Sequence, residues 1–239
     1  MTEVQRARTW IASARSIAVL TGAGISAESG IPTFRDAGGL WKSFRAEDLA
    51  TPQAFARDPK FVWEWYDWRR SLIAQAEPNA GHHALAELEK RTSEFTLITQ
   101  NVDGLHDRAG STRILRVHGD IWTLRCTLCG RERHDPRPSL PELPPHCACG
   151  AIQRPGVVWF GESLPPEVWS QAEQAASGSE VLLVIGTSAL VYPAAGLVHL
   201  AKASGAKVVE VNPAETPVSG MVDFSWRAPA AEALPLLIA

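Results

Sequence analysis

Four cysteines stand in two tight pairs, Cys126-x-x-Cys129 and Cys147-x-Cys149, with 17 residues between the pairs. Thiolates at this spacing can converge on one tetrahedral ion, for which zinc is the natural guest, and a site closed by four sulfurs has no position left for a reactive water. Its expected role is structural. The second pair is shorter than C-x-x-C, so His134 and His146 stand as substitute ligands, with chance thiols as the bland alternative. The second chemically loaded stretch is Thr21-Gly22-Ala23-Gly24-Ile25-Ser26-Ala27-Glu28-Ser29-Gly30-Ile31-Pro32-Thr33-Phe34-Arg35-Asp36, directly after the apolar run Ile17-Ala18-Val19-Leu20. Gly22-x-Gly24-x-x-Ala27 satisfies the G-x-G-x-x-G/A dinucleotide pattern. Gly22 and Gly24 are expected to take backbone angles closed to other residues and to let a ligand reach the main chain, while the amides opening the next helical turn face an anion. Gly30 and Pro32 then stop the helix early. A hydride-transfer enzyme would instead run through a long helix to a second strand with an acidic residue about 20 positions on. The cradle therefore suits a dinucleotide but not ordinary hydride transfer.

These groups need a scaffold. Val4, Ala7, Trp10, Ile11 and Ala14 have helical spacing, so a helix precedes the strand at 17–20. Residues 40–70 are rich in aromatics and lack strand alternation, which reads as a small helical lid. A helix at 79–91 leads to a strand at 95–99 that ends on Gln100-Asn101-Val102-Asp103-Gly104-Leu105-His106, and a short strand at 114–117 ends on His118. The cysteine-bearing segment reads as an insertion. After it come an apolar segment at 157–160, helices near 166–176 and 193–204, and strands at 181–185 and 207–211 that end on Gly186-Thr187-Ser188 and Asn212. An edge strand at 221–226 and a helix near 230–237 complete the pattern. Apolar strands alternating with helices imply an α/β fold with a parallel sheet covered on both faces, whose ligands bind at the strands' carboxyl ends. All the polar clusters just named fall at such ends.

The 239 residues, 45% hydrophobic and 21% charged, suffice for one substantial core with a smaller attached module. A net charge of -3 gives no electrostatic footprint for nucleic acid, so no direct nucleic-acid partner is expected. Neither a signal-type apolar core at residues 1–15 nor a membrane-length run elsewhere is present; no membrane partner and a cytoplasmic location are the expectations.

With these motifs in order, the chain resembles the sirtuins, the NAD-dependent protein-lysine deacylases, over nearly its whole length. The landmarks are Gly22-Ala-Gly-Ile-Ser26, Gly30-Ile-Pro-Thr-Phe-Arg35, Thr99-Gln-Asn-Val-Asp-Gly-Leu-His106, Val117-His-Gly119, the cysteine pairs, Val158-Trp-Phe-Gly-Glu162, Gly186-Thr-Ser188 and Val211-Asn-Pro213. The resemblance implies a Rossmann-like large domain (1–34, 73–120 and 155–239) and a small domain made of a helical lid (35–72) and a zinc ribbon (121–154). NAD, consumed as a co-substrate, and an acyl-lysine protein or peptide would meet between them. In such enzymes the acyl oxygen attacks C1' of the nicotinamide ribose and expels nicotinamide; a base then activates a ribose hydroxyl, giving free lysine and 2'-O-acyl-ADP-ribose. His118 matches that base, and neutral imidazole suits the task at working pH.

By the same resemblance, Gly22, Ala23, Gly24, Ser26, Phe34, Arg35, Gly186, Thr187 and Ser188 hold the cofactor's phosphates and ribose or close over them. Asn101 and Asp103 line the nicotinamide pocket, Gln100 touches the ribose, and Asn212 and Ala228 lie at the adenosine end. Val158, Trp159 and Phe160 pair with the extended substrate backbone. Tyr66 and Arg69, three apart on one helix face, join a phenol to a guanidinium fork, a combination suited to a carboxylate. They match the Tyr-x-x-Arg of the class III, desuccinylase-like branch, which removes succinyl, malonyl or glutaryl groups, and Ala50 matches its small residue making room for the longer acyl chain. An aromatic core helix with Arg69 or Arg70 merely solvated is the plainer reading. Asp36, the context of Ala228 and the shortened ribbon depart from the family's usual pattern. An NAD-derived ADP-ribosyltransferase, an NAD oxidoreductase and a zinc-ribbon nucleic-acid module are the rival functions.

Overall fold

The protein is described from a computed structural model over residues 1–33 and 45–239. The chain opens with α1 (Glu3–Ser13), β1 (Ser16–Thr21) and a 3-10 helix (Ala23–Ser29). After α2 (Ala46–Leu49), α3 (Pro52–Arg57), α4 (Pro59–Gln75) and α5 (Ala80–Arg91) come β2 (Glu94–Thr99), α6 (Leu105–Arg108) and β3 (Ile114–Arg116). Three short strands follow, β4 (Gly119–Cys126), β5 (Glu132–His134) and β6 (Gln153–Val157). The chain closes with α7 (Pro166–Gly178), β7 (Val181–Ile185), α8 (Gly196–Ala203), β8 (Lys207–Val211), β9 (Phe224–Trp226) and α9 (Ala230–Ile238).

Two sheets result. The larger is parallel, in the order β3-β2-β1-β7-β8-β9, with Val19 opposite Leu97 on one side and Leu183 on the other. Both faces of β1 are covered, as its unbroken apolar run requires. Ile17 and Val19 meet Ile11 of α1, Leu85 and Leu88 of α5 and Leu234 of α9, while Ala18 and Leu20 meet Ala172 of α7 and Val198 of α8. The chain builds outward from β1 to β3 and then, after the small sheet, outward from β7 to β9. A crevice therefore opens between β1 and β7 at their carboxyl ends, where the direction of winding reverses.

The smaller sheet is antiparallel, in the order β5-β4-β6. It shares a third core with α2, α3 and α4, in which Trp63, Trp65, Tyr66 and Ile73 pack against Ile121, Leu124 and Trp159. Helix α4 starts sharply because Asp58 accepts from the Phe61 amide (2.9 Å) and Pro59 occupies the first turn.

Three sequence expectations shift. The apolar segment at 157–160 is not a strand of the large sheet: β6 ends at Val157, and residues 158–160 leave it as a loop. Residues 119–126 form a strand that period-2 alternation misses, because a register shift between Asp120 and Leu124 puts the buried Ile121 and Leu124 three apart. The helix expected from 193 begins at Gly196, after a turn in which the Gly196 amide donates to Pro193 O (2.8 Å).

Candidate functional site

The cradle sits at the reversal point, but its glycines have a different reason from the expected one. Gly22 is ordinary extended backbone (φ -130°, ψ -173°). What excludes a side chain is the neighbouring strand's exit loop: a Cβ on Gly24 would lie 2.7 Å from Gly186 O, and one on Gly186 2.4 Å from the Ile25 amide nitrogen. The Gly24 amide donates to Gly186 O (2.7 Å), so the two loops are sewn together and that donor is engaged within the protein. Gly22-x-Gly24 and Gly186-Thr187 are therefore one unit. Gly30, left-handed at φ 85°, ends the 3-10 helix as expected.

A connected polar network spans the floor. Asn101 Nδ2 donates to Gly22 O (3.1 Å) and Ser26 Oγ (3.2 Å), and Ser26 Oγ donates to Asp103 Oδ2 (2.8 Å). Gln100 Nε2 donates to Thr187 Oγ1 (3.0 Å), while Asn212 Nδ2 donates to Thr187 O (2.7 Å). Half-buried Ala23 and Ser188 lie in the two loops of this unit, and Ala228 packs at the edge of the core beneath the β9 end. Burial pushes the Asp103 carboxyl upward against the hydrogen bonds from Leu105 N and Ser26. Phe34 and Arg35 lie outside the described residues.

His118 follows β3, with its Nδ1 3.1 Å from Gln100 O. A carbonyl can only accept, so Nδ1 carries the proton and Nε2 keeps its lone pair. Burial holds the imidazole below its ordinary range, with the Gln100 contact acting the other way. The residue is thus a neutral base with one basic nitrogen. Its carbonyl accepts from Val158 N (2.9 Å), which ties it to the loop after β6.

That loop connects the floor to the lid. Phe160 N donates to Ala50 O (2.9 Å), and Phe160 itself is exposed, whereas Trp159 is buried against Phe55, their ring centroids 5.1 Å apart. Trp159 therefore serves the lid core by its side chain, in contrast to Val158 and Phe160. Trp159 Nε1 donates to Tyr66 Oη (2.9 Å). Tyr66 is buried and packs edge-on against Trp65 (4.6 Å), over which the Arg69 guanidinium lies at 5.1 Å. Burial drives the Tyr66 phenol up to about 12, with Arg69 the strongest charge opposing the shift. Burial lowers the Arg69 guanidinium from its ordinary value, with Tyr66 and Asp103 the charges that oppose the shift.

Arg70 is not solvated. Fully buried, it donates to Ile121 O (2.7 Å), Asp135 O (2.5 Å) and Arg137 O (2.7 Å), pinning α4 to the ribbon. The aromatic helix is thus a core helix, with Trp63, Trp65 and Tyr66 buried in it.

All four cysteine sulfurs lie within 4.8 Å of one another, with Cys126–Cys149 at 3.4 Å and Cys129–Cys147 at 3.8 Å. Zinc–sulfur bonds of about 2.3 Å at tetrahedral angles place sulfurs about 3.8 Å apart, so this donor set fits a closed structural zinc site. Among the described residues no other cluster of this kind occurs, and His146 lies instead beside Glu142 (3.3 Å).

Sequence reasoning missed several residues. Thr21 Oγ1 donates to Thr99 Oγ1 (2.8 Å) and meets His106 Nε2 (3.1 Å); His82, whose ring packs tilted against His106 with centroids 4.9 Å apart, has its Nδ1 fixed by the Asn79 amide (3.3 Å). Arg154 carried no signal and Glu162 entered only as the end of the 158–162 landmark, because their partners are set by tertiary contact. Only the Asn79-to-His82 spacing, a capping-box pattern, offered a local signal.

A doubly wound parallel sheet, a dinucleotide-type crevice at its reversal point and a thiol-bearing second module define an α/β protein of the nucleotide-binding class. Residues 22–193 match the Sir2 family, and the chain belongs to that family. It is 56% identical to the NAD-dependent protein deacylase of Aquifex aeolicus, over 92% of either chain. To that of Thermus thermophilus it is 51% identical, over 100% of this chain and 95% of the relative. A solved Sir2 homologue in complex with NAD superposes with a TM-score of 0.93 at 47% identity, covering 98% of this chain and 92% of that one.

Proposed function

We propose that the crevice performs NAD-dependent protein-lysine deacylation, and that the acyl groups it removes are acidic, succinyl or malonyl, besides acetyl. Deacylation is supported by family membership, by relatives named for this activity and by His118, whose Nδ1 is held by Gln100 O and whose Nε2 keeps its lone pair. The single observation that carries the acidic preference is the buried phenol of Tyr66 beside the Arg69 guanidinium. Tyr66 keeps its own proton to donate, and a fixed cation in an apolar wall selects for a carboxylate. Acetyl-lysine offers no such group.

When bound, NAD supplies the nicotinamide–ribose bond whose cleavage drives acyl removal. Nε2 of His118 takes the proton of a ribose hydroxyl. Asn101 and Asp103 bind the nicotinamide carboxamide, and Gln100 binds the ribose. Ala23, Ser26, Thr187 and Ser188 take the phosphates and ribose oxygens where Gly22, Gly24 and Gly186 hold the two loops close, Asn212 and Ala228 take the adenosine end, and Phe34 and Arg35 belong to the same cofactor site. Val158 and Phe160 hold the substrate backbone, with Trp159 behind them, and Ala50 leaves room for the acyl chain. The large domain comprises 1–34, 73–120 and 155–239, the lid 35–72 and the ribbon 121–154; the apolar core of lid and small sheet supports the division in outline, although Val157 and Trp159 pack on the lid side of it. The location we assign is cytoplasmic. Among the described residues no helix is long and apolar enough to cross a membrane.

The test is incubation with NAD and a succinyl-lysine peptide, read by mass spectrometry. Nicotinamide and 2'-O-succinyl-ADP-ribose are expected; ADP-ribosylated protein or NADH would replace the proposal with a rival. Arg69→Met should lower the ratio of desuccinylation to deacetylation by about 10- to 100-fold, the worth of a charge-assisted hydrogen bond. Equal loss of both activities would remove the acidic preference.

A further inference from the structure

Behind Tyr66 runs a chain of contacts that the proposed deacylation chemistry does not use directly. Arg154, on β6, forms a two-pronged pair with Glu162, Nη1 to Oε1 at 2.5 Å and Nη2 to Oε2 at 2.8 Å, and Nη2 also donates to Val157 O (2.9 Å). The same Glu162 Oε2 accepts from the Trp159 amide (2.8 Å), and the Arg154 guanidinium lies 3.5 Å from the centroid of the Trp159 indole. Trp159 is thus gripped by its main chain from one side and by its ring face from the other. A cation stacked on an indole at that distance, with its fork held by a carboxylate, is a rigid arrangement.

The indole N–H then donates to Tyr66 Oη. A phenol O–H prefers the plane of its ring and so has two directions open to it. The indole N–H points at the oxygen as a donor, so the Tyr66 proton is directed away from it and is available to an acceptor such as a ligand carboxylate. We propose that Arg154 and Glu162 are positioning residues for acyl selectivity: they hold the Trp159 indole against the Tyr66 oxygen and thereby commit the Tyr66 proton to the acyl carboxylate. The proposal rests on the acidic-acyl reading of Tyr66 and Arg69.

Steady-state kinetics with succinyl- and acetyl-lysine forms of one peptide test it, using Arg154→Met, Arg154→Lys and each change combined with Tyr66→Phe. Arg154→Met should lower the succinyl-to-acetyl ratio of kcat/KM about tenfold, through KM for the succinyl peptide, the size of one charge-assisted hydrogen bond. Arg154→Lys, which keeps the charge but loses the planar fork and stack, should fall between it and the parent. In the Tyr66→Phe background neither change should move the ratio by more than about twofold, since coupling requires both ends of the chain. A parallel fall of both activities, or an undiminished effect without the Tyr66 hydroxyl, would overturn the relay. Should Arg154→Met fail to fold, the Arg154→Lys pair decides alone. If Tyr66→Phe and Arg69→Met leave the ratio unchanged, the acidic-acyl reading falls and takes the relay with it; if they shift it while the Arg154 variants do not, only the relay falls.

Discussion

The crevice floor and the lid–ribbon module both bury polar side chains, yet they do so with opposite electrostatics. On the floor the buried or half-buried groups are hydroxyls, amides and imidazoles: Thr21, Thr99, Asn101, His106 and His118, with the Asp103 carboxyl pushed upward by burial. In the module they are cations in fixed company, Arg70 on three carbonyls and Asp135, and Arg154 on Glu162 and Trp159. Neutral networks accommodate a charged cofactor without a competing internal charge. Charged pairs anchored on a separate core can instead set which acyl group is accepted. On the proposed reading, general chemistry and acyl selectivity occupy different cores.

The largest effect that separates the two regions belongs to the floor. His118→Tyr should reduce turnover by about 10³-fold for every acyl group alike, the scale of a lost general base, while the thermal melt stays near that of the parent. Retained turnover would remove His118 from that role. Because burial depresses the imidazole, protonation disables the base only below its ordinary range, so the acid limb of kcat/KM should lie below pH 6.5. A limb above that value would contradict the neutral floor.

Removal of zinc attacks the other region. Elemental analysis should find about one zinc per chain, and chelation should melt the ribbon and lower activity about tenfold or more by releasing α4 through Arg70. Full activity after verified metal loss would show that the two cores do not depend on each other.

The smallest effect concerns acid stability. Burial lowers His82 to about 4 and holds His106 well below its usual value, so the fold favours their neutral forms. Their stabilisation is complete above the unfolded value near 6.5 and is lost as pH falls from there toward 4. The melting temperature should drop across that window, and His82→Asn should flatten the drop; an unchanged slope would place the acid sensitivity elsewhere.

The sequence was most legible where its signals were local. The unbroken apolar runs of β1 and β7 announced a parallel sheet covered on both faces, and Gly30 ended its helix where read. Spacing alone proposed four thiols for one ion, and the sulfurs do lie together. It was least legible where a bulge broke the alternation of β4 and where 158–160 looked like a strand by composition but lies beyond the end of β6. Apolar content records burial, not the hydrogen-bond partner, and both kinds of segment are buried in part.

By itself the sequence determined the strand-and-helix rhythm, the polar groups at strand ends, the thiol set and the shared face of Tyr66 and Arg69, because each depends on residues close in the chain. Only the tertiary structure decided why Gly24 and Gly186 must be glycine, since each is the other's steric neighbour across more than half the chain. It also decided which nitrogen of His118 is basic and which donor the Tyr66 hydroxyl accepts from. Those follow from single partners, Gln100 O and the Trp159 indole, that no local pattern specifies.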